Sequence, residues 1–209
     1  MKAIVKTIKP KTCANIMNRN QSILVIKNKR EATAIQKLID ENGYADIYAY
    51  CSKSNTQYLV GSKNKVCEIL TKAADTRFSP NIGKYTGNGK VLFKFRCYEM
   101  EEILNYGLAR RSEMMMEELL KGSCLTMEQL NKYAPHKEYD DDDYIYTIHI
   151  SDLEIFDQPK ELSEFYKVGF DKALKESLNS KPYPLSSVCI EKQYQLTKAP
   201  QNMCYVEVE

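Results

Sequence analysis

The sequence predicts an α+β protein built as a small β-barrel decorated with helices. Three observations lead there. Short segments rich in β-branched or alternating apolar residues recur along the chain, as strands do. Helical patterns and long loops separate them, which fits a decorated barrel better than a plain sandwich. The 209 residues are 43% apolar with 15 Tyr and 6 Phe, enough for one core, so 1–209 is expected to form a single domain. With only 8 Gly and 7 Pro, collagen-like and Pro-rich disordered classes are excluded. No apolar run approaches the roughly 20 residues that span a bilayer. The start, Met1 to Lys6, lacks a long apolar stretch and a small-residue cleavage site, so a cytoplasmic protein without membrane contact is expected.

The elements follow in order. Ala3 to Ile8 is β-branched and reads as a strand. Pro10 suits a first helical turn, and Cys13, Ile16 and Met17 then form one apolar stripe. Ser22 to Lys27 is a second strand, apolar on both faces and therefore expected at the centre of a sheet. Glu31 to Glu41 is a helix stopped by Asn42-Gly43. Tyr44 to Cys51 alternates as a strand, residues 52–62 read as a loop, and Lys65 to Ala74 as a helix. Residues 75–90 hold Pro80, Gly83, Gly87 and Gly89 and are expected to be a surface loop.

Lys90 to Cys97 reads as an alternating strand. Val91, Phe93, Phe95 and Cys97 share one face, while Lys90, Lys94 and Arg96 share the other, giving a half-buried strand with a cationic outside. Arg110 to Lys121 is helical, and its Met114-Met115-Met116 triplet is expected to fill the core. Thr126 and Gln129 fit a capping box for a helix to Tyr133. Pro135 to Asp143 is an acidic loop, Tyr144 to Ile150 a strand, and Gln158-Pro159 opens a short helix through Tyr166. Residues 167–184 are weakly patterned and suit a helix over the surface, and Cys204 to Val208 closes the chain as a strand.

Seven cysteines at positions 13, 51, 67, 97, 124, 189 and 204 contain no Cys-x-x-Cys pair, and the two His are 136 and 149. A structural zinc site needs about four grouped ligands, so neither a metal nor any other cofactor is expected. Asp140 to Asp143 lacks the interleaved spacing and glycine of a calcium loop. Gly83 to Gly89 lacks the Gly-Lys-Ser/Thr ending of a phosphate-binding loop. His149 lies mid-strand beside Ser151 and Asp152; it reads as a structural histidine, with a place at the cleft as the alternative. Tyr48, Tyr50, Tyr98 and Tyr205 fall on strands, where packing is their commoner fate and stacking on bases the rarer one.

Charge is distributed unevenly. Residues 1–100 hold 18 Lys+Arg against 7 Asp+Glu, a surplus of 11; the rest hold 12 against 21, a deficit of 9, and the two recover the net +2. A basic segment of that size attracts polyanions whatever their sequence.

A family resemblance rests on ordered pieces. Ile8-Lys9-Pro10-Lys11 running to Lys27 resembles the start of ASCH domains, which belong to the PUA-like superfamily. Asn88 to Val91 with Phe95-Arg96-Cys97, Ser123 to Thr126, His149 to Leu153 continuing to Pro159 to Tyr166, and Ala199 to Val206 resemble a phage- and prophage-associated branch. They occur in the expected order over nearly the whole chain, and the resemblance implies that about 31–43, 55–87 and 167–195 are insertions. The resemblance implies a PUA-like, ASCH-type barrel with a helix-flanked cleft, related to RNA-binding modules and to hydrolases of modified nucleosides or RNA. In the hydrolases a Lys after the first helix transfers protons with a Thr and a Glu. Here Gln21 stands at that Lys position, Leu24 at the Glu and Ile26 at the Arg of the motif, and only Ser22 keeps a hydroxyl. Gln cannot shuttle a proton, so the catalytic residues are unknown and the chain is expected to lack that activity.

The leading expectation is a non-catalytic nucleic-acid-binding protein of phage or prophage origin, favouring RNA over DNA. Lys9, Arg19, Gln21, Ser22, Lys27, Lys29, Arg30, Lys90, Lys94 and Arg96 are the candidate contacts, with His149 near the cleft. One alternative is a phage-borne protein that inhibits a host enzyme such as a defence nuclease, suggested by the acidic second half. The other is a hydrolase of modified nucleosides or RNA with a relocated site around Lys27 and His149.

Overall fold

A computed structural model describes residues 1–53, 58–61, 82–85, 89–104, 113–135, 143–179 and 187–208. The strands are β1 (Lys2–Ile8), β2 (Ile23–Ile26), β3 (Ala45–Cys51), β4 (Tyr58–Gly61), β5 (Ile82–Tyr85), β6 (Val91–Cys97), β7 (Met100–Leu104), β8 (Tyr144–His149), β9 (Ser151–Lys160), β10 (Tyr166–Lys167) and β11 (Met203–Glu207). The helices are α1 (Pro10–Met17), α2 (Lys29–Asn42), α3 (Glu113–Ser123), α4 (Met127–Tyr133), α5 (Phe170–Asn179) and α6 (Ser187–Tyr194), with a 3-10 turn at Leu162–Glu164.

A six-stranded sheet has the order β10-β11-β1-β3-β6-β9, and a three-stranded sheet the order β2-β8-β7. Strands β1 and β3 run parallel, which the crossover through α1, β2 and α2 allows. The two sheets share a corner. Arg96 pairs with Ser151 on β6 and β9, and Met100 pairs with Ile148 on β7 and β8. One two-stranded ribbon therefore bends at residues 98–99 and 150 and passes from the large sheet into the small one. The mixed α+β architecture is as the sequence predicts; among the described residues the ladders form three sheets, the third being β4 with β5, rather than one closed ring.

Three cores result. The main one lies between the sheets: Ile4, Ile47, Phe93 and Phe95 from the large sheet meet Leu24, Ile26 and Ile148 from the small one, with Ile16 of α1 and Ile35 and Leu38 of α2 alongside. Phe93 and Phe95 are wholly buried, each a stabilisation of about 1.5–3 kcal/mol. A second core on the reverse face of the large sheet joins Val5, Tyr48 and Val206 to Phe156, Leu162 and Phe165. A third joins Val25, Ile103 and Ile145 of the small sheet to Met116, Leu119 and Leu130 of α3 and α4.

Several expectations need correction. Strand β2 is an edge strand, not a central one. Its two apolar faces serve two cores: Leu24 and Ile26 face the main core, Val25 the third. The stretch around Gln158-Pro159 continues β9 instead of starting a helix; β9 is an edge strand, where a proline's missing N–H leaves no ladder bond broken. Of the Met triplet only Met116 is buried, while Met114 and Met115 are 68% and 44% exposed. Strands β4 and β5 pair within the stretches expected as loops. The expected helix at 65–74, the Asp run at 140–142 and His136 lie outside the described residues. Helix α2 supplies Ala32, Ile35 and Leu38 to the main core. Among the described residues no helix is long and apolar enough to cross a membrane, and no group of three or more His, Cys, Asp or Glu is placed to hold a metal.

Candidate functional site

The motif positions are spent on structure. Gln21 is buried, and its Nε2 donates to the Ile23 carbonyl at 3.0 Å. Leu24 and Ile26 pack in the main core. Ser22 is exposed, and its backbone forms a junction: its N–H donates to Gly122 O at 2.9 Å and its carbonyl accepts from Ile150 N–H at 2.8 Å. Lys27 is half-buried with its Nζ 3.6 Å from the buried Asp143 carboxylate. His149 pairs with Ile23, at the end of β2 remote from Lys27. Four residues of strand separate the two by about 13 Å, so the fold does not bring Lys27 and His149 together for proton transfer.

The expected alternation breaks near the start of β6: Val91 joins the second core while Leu92 and Phe93 both join the main one, across a register shift, so Lys94 and Arg96 keep the expected face and Lys90 lies before the break. Lys90 Nζ lies 2.7 Å from Glu161, Lys94 Nζ 2.9 Å from Glu154, and Arg96 Nε 3.0 Å from Asp46 with Asp152 at 3.8 Å from Nη1. The Arg96 guanidinium also sits over the Tyr44 ring, 4.5 Å from its centroid. Bonding to Tyr98 and then Asp46 holds the guanidinium more firmly charged than usual, and the bond to Glu154 does the same for the Lys94 ammonium. Alternation from Phe93 and Phe95 turns Lys94 and Arg96 away from the main core. Helix α2 and strand β2 pack on the core side of the large sheet, so these cations lie on the opposite face from Lys27, Lys29 and Arg30.

A second set of cations lies around the two N-terminal helices. Lys9 is the residue before α1, Lys11 is in its first turn and Arg19 follows its end, while Lys29 and Arg30 open α2; all five are exposed. None of them makes an ion pair among the described residues. Asn28 fixes the start of α2, its Oδ1 accepting from Arg30 N–H at 3.0 Å and Glu31 N–H at 3.2 Å. Arg19 holds a left-handed φ of 59°, a conformation that costs a non-glycine residue about 1 kcal/mol.

One pair escaped the sequence reading. Lys6 and Glu31 are both buried and form an ion pair between β1 and α2. The signal was present: Ile4, Lys6 and Ile8 alternate onto one face of β1, which places a charge on an otherwise apolar inward stripe.

A groove of about 440 Å³ runs between α2 and the small sheet. Lys29, Thr33 and Asp40 line its helical wall, and Met100, Glu102 and Tyr146 its sheet wall. The Tyr146 hydroxyl donates to Glu102 Oε1 at 3.4 Å.

The chain is similar in structure to an ASCH protein of Zymomonas mobilis, solved as a serine-to-alanine variant, at 10% identity and a TM-score of 0.44 over 98% of this chain and 88% of that one. It is also similar to the N-terminal domain of McrB from Staphylothermus marinus, at 9% identity and a TM-score of 0.40 over 78% of this chain and 77% of that one. No protein-family model matches the sequence, and no curated protein matches it.

Proposed function

We propose that this chain is a PUA-like protein of the ASCH type, of phage or prophage origin, that binds nucleic acid without reacting with it and favours RNA over DNA. The ordered motifs from Ile8-Lys9-Pro10 to the terminal Cys204-Tyr205-Val206 support the family assignment. The burial of Gln21, Leu24 and Ile26 supports a non-catalytic role, because the positions of the expected proton-transfer groups are filled by core contacts. The observation that carries the reading is the set of exposed cations Lys9, Lys11, Arg19, Lys29 and Arg30, with no carboxylate in ion-pair distance among the described residues. Such cations release counterions on meeting phosphates, whereas Lys94 and Arg96 must first give up Glu154 and Asp46.

The test is the affinity for mixed RNA oligonucleotides as a function of salt. Steep weakening with salt is expected, with the log–log slope shallower by about 0.7 for each rim cation replaced by Ala. No binding at low salt, or binding indifferent to salt, would overturn the reading.

A second reading, a phage-borne protein that binds and inhibits a host enzyme, is favoured by Met114 and Met115 standing exposed on α3. Exposed Met suits adaptable protein contacts. A stoichiometric host protein retained after nuclease treatment, and lost on Met114→Lys with Met115→Lys, would support it; retention by the double variant would count against it.

A further inference from the structure

The groove between α2 and the small sheet has an apolar floor edged by Lys29, Asp40 and Glu102. On its helical wall Lys29, Thr33, Gln36, Lys37 and Asp40 recur at helical spacing. From Lys29 to Asp40 the helix rises about 16 Å, with a cation at the first position and a carboxylate at the last. Its floor is apolar: Ala32 and Tyr146 are 1% and 5% exposed, and Met100 packs on the main core. Its volume of about 440 Å³ falls among small-ligand sites, which run about 300–1,000 Å³. Lys29 belongs both to the groove and to the basic rim, so a strand bound along the rim passes the groove's mouth.

The two carboxylates differ in occupation. Asp40 accepts from Gln36 Nε2 at 2.7 Å, a full-strength bond along the helix. Glu102 is exposed and, among the described residues, takes a long 3.4 Å bond from the Tyr146 hydroxyl. A carboxylate accepts hydrogen bonds and donates none, so it pairs with an exocyclic amino group and repels a carbonyl oxygen. The geometry points to this groove as the seat of one nucleotide of a single-stranded RNA, its phosphate against Lys29 and an amino-bearing base over Met100 and Tyr146 with its amino group toward Glu102. This inference rests on the RNA-binding reading and adds a base preference: cytosine, with its amino group at C4, is favoured over uracil, which has an oxygen there.

The experiment compares octacytidylate and octauridylate by fluorescence anisotropy on wild type, Thr33→Trp and Glu102→Ala. Thr33 is exposed on α2, so an indole there fills the groove from outside. Wild type is expected to bind octacytidylate several-fold more tightly than octauridylate. Thr33→Trp should weaken both at least tenfold, and Glu102→Ala should abolish the cytosine preference. If wild type binds both oligomers alike and Thr33→Trp changes nothing, the groove is not the site, while RNA binding at the rim stands. If wild type binds neither at low salt, the RNA-binding reading falls and takes the groove with it. Should Thr33→Trp lose cooperative thermal unfolding, the base preference of wild type against Glu102→Ala decides alone.

Discussion

At the scale of single residues, buried charge shows what the chain tolerates. Lys6 and Glu31 neutralise each other inside the core, where an unpartnered charge is costly. Removing one partner exposes that cost. Lys6→Met or Glu31→Leu alone should each destabilise by about 3–5 kcal/mol, and the double replacement should recover most of the loss or exceed wild type. Urea unfolding of the three variants checks this; additive losses in the double variant would show that the two groups do not act as a pair. Glu207 works differently. Burial pushes its carboxyl up, but hydrogen bonds from the Asp171, Gly169 and Phe170 N–H groups outweigh it and hold the group below its ordinary value of 4.5. The carboxylate thereby caps α5 from β11, at 2.8 Å from Gly169 N and 3.0 Å from Asp171 N. A lowered folded-state value means stabilisation that is complete above the ordinary carboxylate range and is lost as pH falls through the folded value. Glu207→Gln should therefore cost about 1 kcal/mol near neutrality, and the gap to wild type should close in acid. A gap independent of pH would rule out the charged cap. Neither pair could be read from the sequence with its partner, because alternation marks Lys6 as inward yet says nothing of Glu31 across the helix.

Elements were legible where local rules decide them. Pro10 at a helix start, Gly43 at a left-handed stop with φ of 81° and the capping box of Thr126 and Gln129 each depend on neighbours a few residues away. Thr126→Ala removes the side-chain acceptor, 3.2 Å from Gln129 N–H, and should cost about 1 kcal/mol. Thermal unfolding measures it; an unchanged midpoint would mean that α4 is held by Leu130 alone. Legibility failed where the partner is distant. Two-faced apolarity in β2 looked like burial between strands, but helices α3 and α4 cover the second face. The long β9 was missed because its exposed face alternates with only half-buried residues on the other. The Met triplet was expected in the core, but consecutive residues turn about 100° each around a helix, and among them Met116 reaches the third core.

For the whole molecule, the sequence conveyed the charge surplus and the outward turn of Lys94 and Arg96, but neither the break at Val91 to Phe93 nor the carboxylates opposite the cations. Glu154 follows Lys94 by 60 residues and Glu161 follows Lys90 by 71, and the β6–β9 ladder brings them near. Among the described residues, the candidate cations fall on two surfaces: a sheet face whose Lys94 and Arg96 meet carboxylates and, across the large sheet, a rim at α1 and α2 where Lys9, Lys11, Arg19, Lys29 and Arg30 make no ion pair. The proposed nucleic-acid contact is this rim. The most direct measurement is the salt dependence of RNA affinity for Lys29→Ala with Arg30→Ala against Lys94→Ala with Arg96→Ala. The rim double variant should bind more weakly with a slope shallower by about 1.4, and the sheet-face double variant should keep the wild-type slope. The reverse pattern, a shallower slope only on losing Lys94 and Arg96, would contradict the assignment.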